Sequence, residues 1–319
     1  MIFHLNEDDK KRFRTLSETF DRNLDKADEI NEKMVEGDPS LMKEATLLKN
    51  GEYAKNPYFL VVTPLPKKIG SWELGYEEYD SNEVFLADNV VSSGAPYFEE
   101  KNPLGYFAKP FKFLSLKEKG TTWMSVIPHE INTMKEPLSE MKGQVVVMGL
   151  GLGYFAFQCL GKDNVSKVTI VERDHRLISL FNESLLPFFP HREKLTVIEG
   201  DAFGKEAQNA VKEANSVFYD LWHNEDDGLS LYERALKEEK QSEGVLHSYW
   251  MEKGLLAYYR RTIIVIMDEE LNHPEDKLDD FTSLLGRTAK ALQKKTFSSY
   301  KEIASFLADE SLKDLLRDL

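Results

Sequence analysis

Cysteine is almost missing from this sequence: the chain has one, Cys159. A single cysteine excludes an internal disulfide and any multi-cysteine zinc site. It points to a reducing, intracellular compartment, and in the apolar stretch Tyr154–Leu160 it reads as a buried structural thiol. Long apolar runs are missing too. The longest candidate, Thr262–Met267, falls far short of the ~18 residues that a membrane span needs. The opening MIFHLNEDDKKRF has no apolar core of signal-peptide length. A cytoplasmic protein without membrane attachment is the expectation.

Positive charge is in deficit. Lys and Arg total 41 against 55 Asp and Glu, a formal net charge of −14, with a pI near 5.1. Such a surface repels phosphate backbones, so broad nucleic-acid binding is not expected. Full metal-ligand sets are also lacking. His129 with Glu130, and His223 with Glu225 and Asp226, come nearest without completing one, so no metal is expected.

The 319 residues suffice for a sizeable core and more than one structural unit. Residues 6–36 predict a long amphipathic helix, because Phe13, Leu16, Phe20, Leu24, Ala27, Ile30 and Met34 recur at spacings of three and four. This stripe is read as packing against the rest of the chain, with homo-oligomer formation through it as the second reading. Residues 58–125 change character. Phe59–Val62, Trp72–Tyr76, Val84–Leu86, Tyr106–Ser115 and Thr121–Met124 are aromatic and β-branched, separated by turn residues, and predict a small strand-rich region. Ile127–Met141 returns to a helical pattern.

From Gln144 strand and helix alternate. Val145–Met148, Val168–Val171, Leu195–Ile198 and Val217–Tyr219 read as buried strands, with helices over Tyr154–Leu160, His175–Leu186 and Ala207–Ala214 between them. This predicts an α/β unit with a parallel sheet. Val245–Trp250 supplies a fifth strand. Thr262–Met267 is placed in a helix running on from Met251. Residues 275–319 read as short amphipathic helices.

The strongest motif is the turn after the first of these strands, Gly149-Leu-Gly151-Leu-Gly153. Glycines there let a ligand approach the backbone, and the helix that follows offers free N–H groups. A dinucleotide fingerprint would need its third glycine at Tyr154, and no Walker lysine follows. Glu172, 19 positions after Gly153, ends the second strand, where a carboxylate accepts from ribose hydroxyls. Asp201 and Ala202, with Phe203, follow the third strand, where an adenine would be bonded and packed. Asp220 ends the fourth strand at the expected switch point and is read as holding the ammonium of a cofactor or substrate. Trp222 is read as a cation–π wall for a sulfonium. His223 is a candidate general base, although a lone histidine is more often structural, and Tyr219 could assist it. A lid over 226–253, hinged at Asp226-Asp227-Gly228, and an acidic pocket of Asp220, Glu225, Asp226 and Asp227 for a cationic small-molecule substrate are further expectations.

These elements in this order resemble the class I S-adenosylmethionine-dependent methyltransferase fold. Within it the chain is most similar to spermidine-synthase-like proteins, over roughly residues 104–250. The segment Trp123–Leu138 carries the His129-Glu130 and Pro137-Leu138 pairs found there in aminopropyltransferases. The resemblance implies a Rossmann-like domain binding S-adenosylmethionine, or its decarboxylated form, over 143–272. Before it come a helical segment (1–57) and a strand-rich region (58–142), and after it a helical tail (273–319). Three features depart from the family. Leu152 stands where aminopropyltransferases carry an acid. Asp220-Leu221-Trp222-His223-Asn224 replaces an Asp-x-x-Asp-Pro type motif. No hairpin follows Trp250, so the sheet is shortened to about five strands. Methyl transfer to an unknown acceptor is the first expectation. Aminopropyl transfer and a non-catalytic nucleotide-binding protein on the same fold are the alternatives.

Overall fold

The computed structural model describes residues 1–272 and 282–319. At its centre is a five-stranded, all-parallel sheet in the order third, second, first, fourth, fifth. The strands are Gly143–Met148, Val165–Glu172, Leu195–Glu199, Ser216–Tyr219 and Leu246–Tyr249. Between the first four lie the helices Tyr154–Leu160, His175–Ser184 and Lys205–Lys212. The helix Glu225–Glu239 leads into the fifth strand. This is an open, doubly wound, Rossmann-like sheet of five parallel strands. Val145, Val146, Val147 and Met148 are all buried, as are Ser216 to Tyr219. A strand covered on both faces reads as an unbroken apolar run, which is why these strands stand out in the sequence.

The N-terminal helix Glu7–Glu36 begins at an Asn6 cap that accepts from the Asp9 amide and ends at Gly37 in the left-handed region. Phe13, Leu16, Phe20 and Ile30 are buried, whereas Leu24 is 37% exposed. The stripe therefore packs at both ends and lifts off at its middle. The strand-rich region forms a four-stranded antiparallel sheet of Lys67–Ile69, Trp72–Tyr79, Phe111–Glu118 and Thr121–Ser125. A three-stranded sheet of Thr46–Leu48, Val84–Leu86 and Leu104–Phe107 lies in the same region.

Two expectations are corrected. Phe59–Val62 is not a strand: Phe59–Val61 lies in the helix Pro57–Val61, and Val62 is its C-terminal cap. Asn56 caps it by accepting from the Tyr58 amide, and Pro57 at the first position is pre-set for a helix. The Asp226-Asp227-Gly228 hinge is instead the first turn of Glu225–Glu239, locked by a capping box between Asn224 and Asp227. A Cβ on Gly228 would lie 2.8 Å from the Trp222 ring, so Gly228 serves close packing. Met251 does lead into a helix, Glu252–Asn272, which carries Thr262–Met267. Helices Leu284–Leu292, Tyr300–Phe306 and Asp309–Asp318 make up the tail; the part of it over 273–281 lies outside the described residues. Among the described residues no helix is long and apolar enough to cross a membrane.

One apolar core joins Phe13, Trp72 and Met124 of the N-terminal region to the sheet and to Leu316 of the last helix. At its centre the Phe155 and Phe218 rings stack 3.6 Å apart and 5° from parallel. Phe155→Ala is expected to cost about 3–5 kcal/mol, measured by urea unfolding. A cost below about 1 kcal/mol would show that this stack does not anchor the first helix to the sheet.

Candidate functional site

The first and fourth strands are neighbours, yet their connections leave in opposite directions across the sheet. A crevice opens beyond their carboxyl ends, the usual ligand position in such sheets. Gly149 makes it. Its φ is +99°, and a Cβ there would lie 2.1 Å from the Asp220 carbonyl oxygen. Any other residue would force the strands apart. Gly151 (φ +48°) lies under Met124, whose sulfur would sit 2.3 Å from an added Cβ and which accepts from the Leu152 amide at 3.1 Å. Gly153 (φ +70°) does something else: a Cβ there would meet Phe181 and Phe189 at 2.8 Å, and it does not line the cavity. The helix that sequence alone mistakes for a strand clamps this turn. Tyr58 Oη donates to the Leu152 carbonyl at 2.7 Å, and Asn56 Nδ2 donates to Tyr154 Oη at 2.7 Å.

A cavity of about 480 Å³ follows the carboxyl ends of the strands. Gly149, Gly151, Glu172, Asp201, Ala202, Asp220 and Trp222 all line it. Glu172 accepts from the Leu150 amide at 3.1 Å and the Asp174 amide at 2.8 Å, one on each oxygen. Each oxygen keeps a lone pair for a further donor. Burial raises its pKa, and the backbone bonds offset that in part. Asp201 accepts from the Phe203 amide through one oxygen. Phe203 lines the wall beside Ala202, and the Arg234 guanidinium lies 4.1 Å over its ring.

Asp220 stands at the other end of the cavity beside Glu130, from the first turn of the helix Pro128–Thr133. No described residue hydrogen-bonds to either carboxyl group. Burial pushes Asp220 up to about 7. It raises Glu130 well above the carboxylate range, and the charge on Asp220 adds to that rise. Glu130 belongs to the pair that carries the family resemblance, but its place opposite Asp220 is a long-range contact that spacing does not reveal. His129, its neighbour, lies outside the cavity. Trp72, Trp123 and Trp250 are the other residues that sequence reading missed; Trp222 is expected there. All four in the chain, Trp72, Trp123, Trp222 and Trp250, line this one cavity.

Two candidate catalytic side chains are not brought to it. The His223 ring stands 4.0 Å from the ring of Trp123, and its Nε2 lies 3.2 Å from the Thr122 carbonyl. Tyr219 is buried in a stack with Tyr249 and His247. Neither lines the cavity. The alternation that places Asp220 at the strand's end turns Tyr219 to the opposite side. Of the acidic loop, Asp227 lines the cavity beside Asp220. Asp226 is instead bonded to Tyr258, and Glu225 lies against Gly254. Among the described residues no cluster of three or more potential ligands could hold a metal ion.

The N-terminal sheet supplies the far wall. Trp72 Nε1 donates to Asp174 at 2.9 Å. The hydrogen bond from Arg176 then holds Asp174 well below the usual carboxylate range. Trp123 meets Trp72 edge to face at 6.1 Å.

No protein-family model matches the chain, and no curated protein sequence matches it. Solved structures similar to it include the following three. Spermidine synthase from Thermotoga maritima has 15% identity and a TM-score of 0.32, with 46% of this chain and 55% of that chain covered. A probable spermidine synthase from Corynebacterium glutamicum has 8% identity and a TM-score of 0.34, covering 77% and 94%. MnmC2 from Aquifex aeolicus has 17% identity and a TM-score of 0.29, covering 70% and 73%. The match spans about half the length of the Thermotoga protein. The chemistry of the site is therefore read from its own side chains.

Asp220 titrates near 7 in the folded protein and near ~4 in an unfolded chain. Between those values the folded protein holds a proton that the unfolded chain has released, so stability falls as pH rises through the window. Glu130 and Glu172, raised by burial, act in the same direction. His129 and His247, lowered by burial, act in the opposite one. The difference between wild type and Asp220→Asn isolates the aspartate. Chemical unfolding from pH 4 to 8 is expected to show wild type losing ground to the variant up to about pH 7 and levelling off above it. A difference independent of pH would mean that Asp220 is not desolvated.

Proposed function

We propose that this protein is an S-adenosylmethionine-dependent transferase whose acceptor is a small cationic amine, with methyl transfer as its reaction. The observation that carries this reading is the Glu130–Asp220 pair: two enclosed carboxyl groups, without a protein donor, facing a cavity beyond the glycine turn. Buried charge of one sign without a partner is costly, so such a pair suits a ligand that brings the cation.

The residues present fit the cofactor. Glu172 has free lone pairs for the ribose hydroxyls. Asp201 has an oxygen left for the adenine amino group, and Ala202 and Phe203 offer a wall for the ring. The close approach at Gly149 keeps the crevice open to a ligand. When bound, the cofactor supplies an activated carbon on a sulfonium. The protein then has to align a nucleophile with that carbon. An amine attacks only when neutral, and Asp220, with a pKa near 7, is poised to take its proton. Trp222 and Trp123 give the cavity apolar wall, and His223 buttresses Trp123.

One observation favours aminopropyl transfer as the second reading. Of the arginines lining the cavity, Arg173 and Arg176 follow the second strand, and Arg234, from the helix after the fourth, lies over the Phe203 ring beyond the third. No positive group lowers the pKa of Glu130 or Asp220. A cofactor tail that ends in ammonium alone suits this end better than one that also carries a carboxylate.

Titration calorimetry with S-adenosylmethionine, its decarboxylated form and S-adenosylhomocysteine separates the readings. The first and third are expected to bind wild type, and Glu172→Ala is expected to weaken both by about tenfold or more. Preference for the decarboxylated form would establish the second reading. No binding of any of the three would overturn the transferase reading altogether.

A further inference from the structure

The cavity that holds Glu130 and Asp220 is rich in indole. Trp222 and Trp250 are buried and Trp123 is half-buried, and all three line the cavity with Glu130 and Asp220. Two of the rings are fixed from outside. Trp250 Nε1 donates to Thr133 Oγ1 at 3.0 Å, and Trp123 is held between Trp72 and the ring of His223. The indole N–H of Trp222 is buried without a partner. Leu221, Leu231 and Met124 also line the cavity, as does Asp227, whose carboxylate already accepts from the His223 and Asn224 amides. Such a surface offers π faces and methyl groups in quantity and few hydrogen-bond acceptors.

An unsubstituted ammonium carries three N–H donors, and each needs an acceptor when water is excluded. Glu130 and Asp220 are acidic side chains in place for them, and neither is held in its charged form by a protein donor; burial raises both. An N-alkylated ammonium carries the same charge with fewer donors or none. It spreads that charge over methyl groups that pack on aromatic faces, the arrangement by which indole cages recognise methylated ammonium ions. We propose that the Glu130–Asp220 end of the cavity binds an N-alkylated ammonium in preference to a primary one: a tertiary amine as the acceptor, which attacks once Asp220 has taken its proton, and the quaternary ammonium formed from it as the product. The inference rests on the cationic-acceptor reading above and specifies its substrate class.

The test uses the full chain and four probes: choline, ethanolamine, the uncharged choline isostere 3,3-dimethyl-1-butanol, and S-adenosylhomocysteine. Tryptophan fluorescence follows each titration, with and without S-adenosylhomocysteine. Choline is expected to bind at least about tenfold more tightly than either ethanolamine or the butanol. Trp123→Leu, at the least buried of the three rings, should weaken choline about tenfold, and Trp123→Phe should largely restore it. Both variants should bind S-adenosylhomocysteine within about twofold of wild type, which shows that the fold and the adenosyl end are intact.

Ethanolamine binding as tightly as choline would overturn the inference and leave the cationic-acceptor reading standing. Butanol matching choline would overturn it as well, because the cavity would then be merely apolar. An unchanged choline affinity in Trp123→Leu would have the same force. Binding of S-adenosylhomocysteine with no binding of either cation would sink the inference alone. Failure of all four probes on wild type would sink both.

Discussion

The structure turns on the contact between the first and fourth strands of the parallel sheet. Gly149 leaves its strand with a positive φ, under the carbonyl of Asp220, at a spacing that no Cβ could occupy. That approach keeps the two carboxyl ends level and opens a crevice between connections that run to opposite sides. Everything else at the site is arranged around it. The helix Pro57–Val61 clamps the turn from one side through Tyr58 and Asn56, and Met124 reaches the turn from the N-terminal sheet. The first part of the chain is thus a wall of the cavity and shares its core.

Electrostatics divides that cavity into two ends. Around Glu172 and Asp201 the carboxylates accept backbone N–H groups and arginines are at hand. Around Glu130 and Asp220 neither condition holds. A pair of enclosed carboxyl groups without donors destabilises the empty protein, and the cost falls when a cation enters. Such strain is a feature of sites rather than of cores, where buried acids are paired. The same pair would be a poor neighbour for a second carboxylate, and this makes the cofactor's tail as informative as its acceptor.

Much of this was legible in the sequence because doubly covered strands read as unbroken apolar runs and glycines mark the one place where backbones meet. The five strands, the helix that absorbs Thr262–Met267, and the positions of Glu172, Asp201 and Asp220 at strand ends follow from those two signals. The failures have physical causes. Four apolar residues at Phe59–Val62 fit a strand or a helix equally, and the deciding signal was the Asn56-Pro57 start just before them. Asp226-Asp227-Gly228 looks like a hinge until Asn224 is seen to cap it. His223 and Tyr219 flank Asp220 in the chain, but one is drawn to Trp123 and the other turned into a ring stack. Glu130 and the four tryptophans come together only through tertiary contacts between segments as far apart as residues 72 and 250, which no local pattern encodes.

The central claim is that Asp220, protonated in the empty protein at mildly acid pH, releases its proton to solvent when the ligand brings a cation beside it. The direct measurement is the number of protons exchanged when S-adenosylmethionine binds at pH 6, from calorimetry in buffers of different ionisation enthalpy. Net proton release that disappears in Asp220→Asn is the predicted result. Binding without proton release, or release unchanged in the variant, would contradict it.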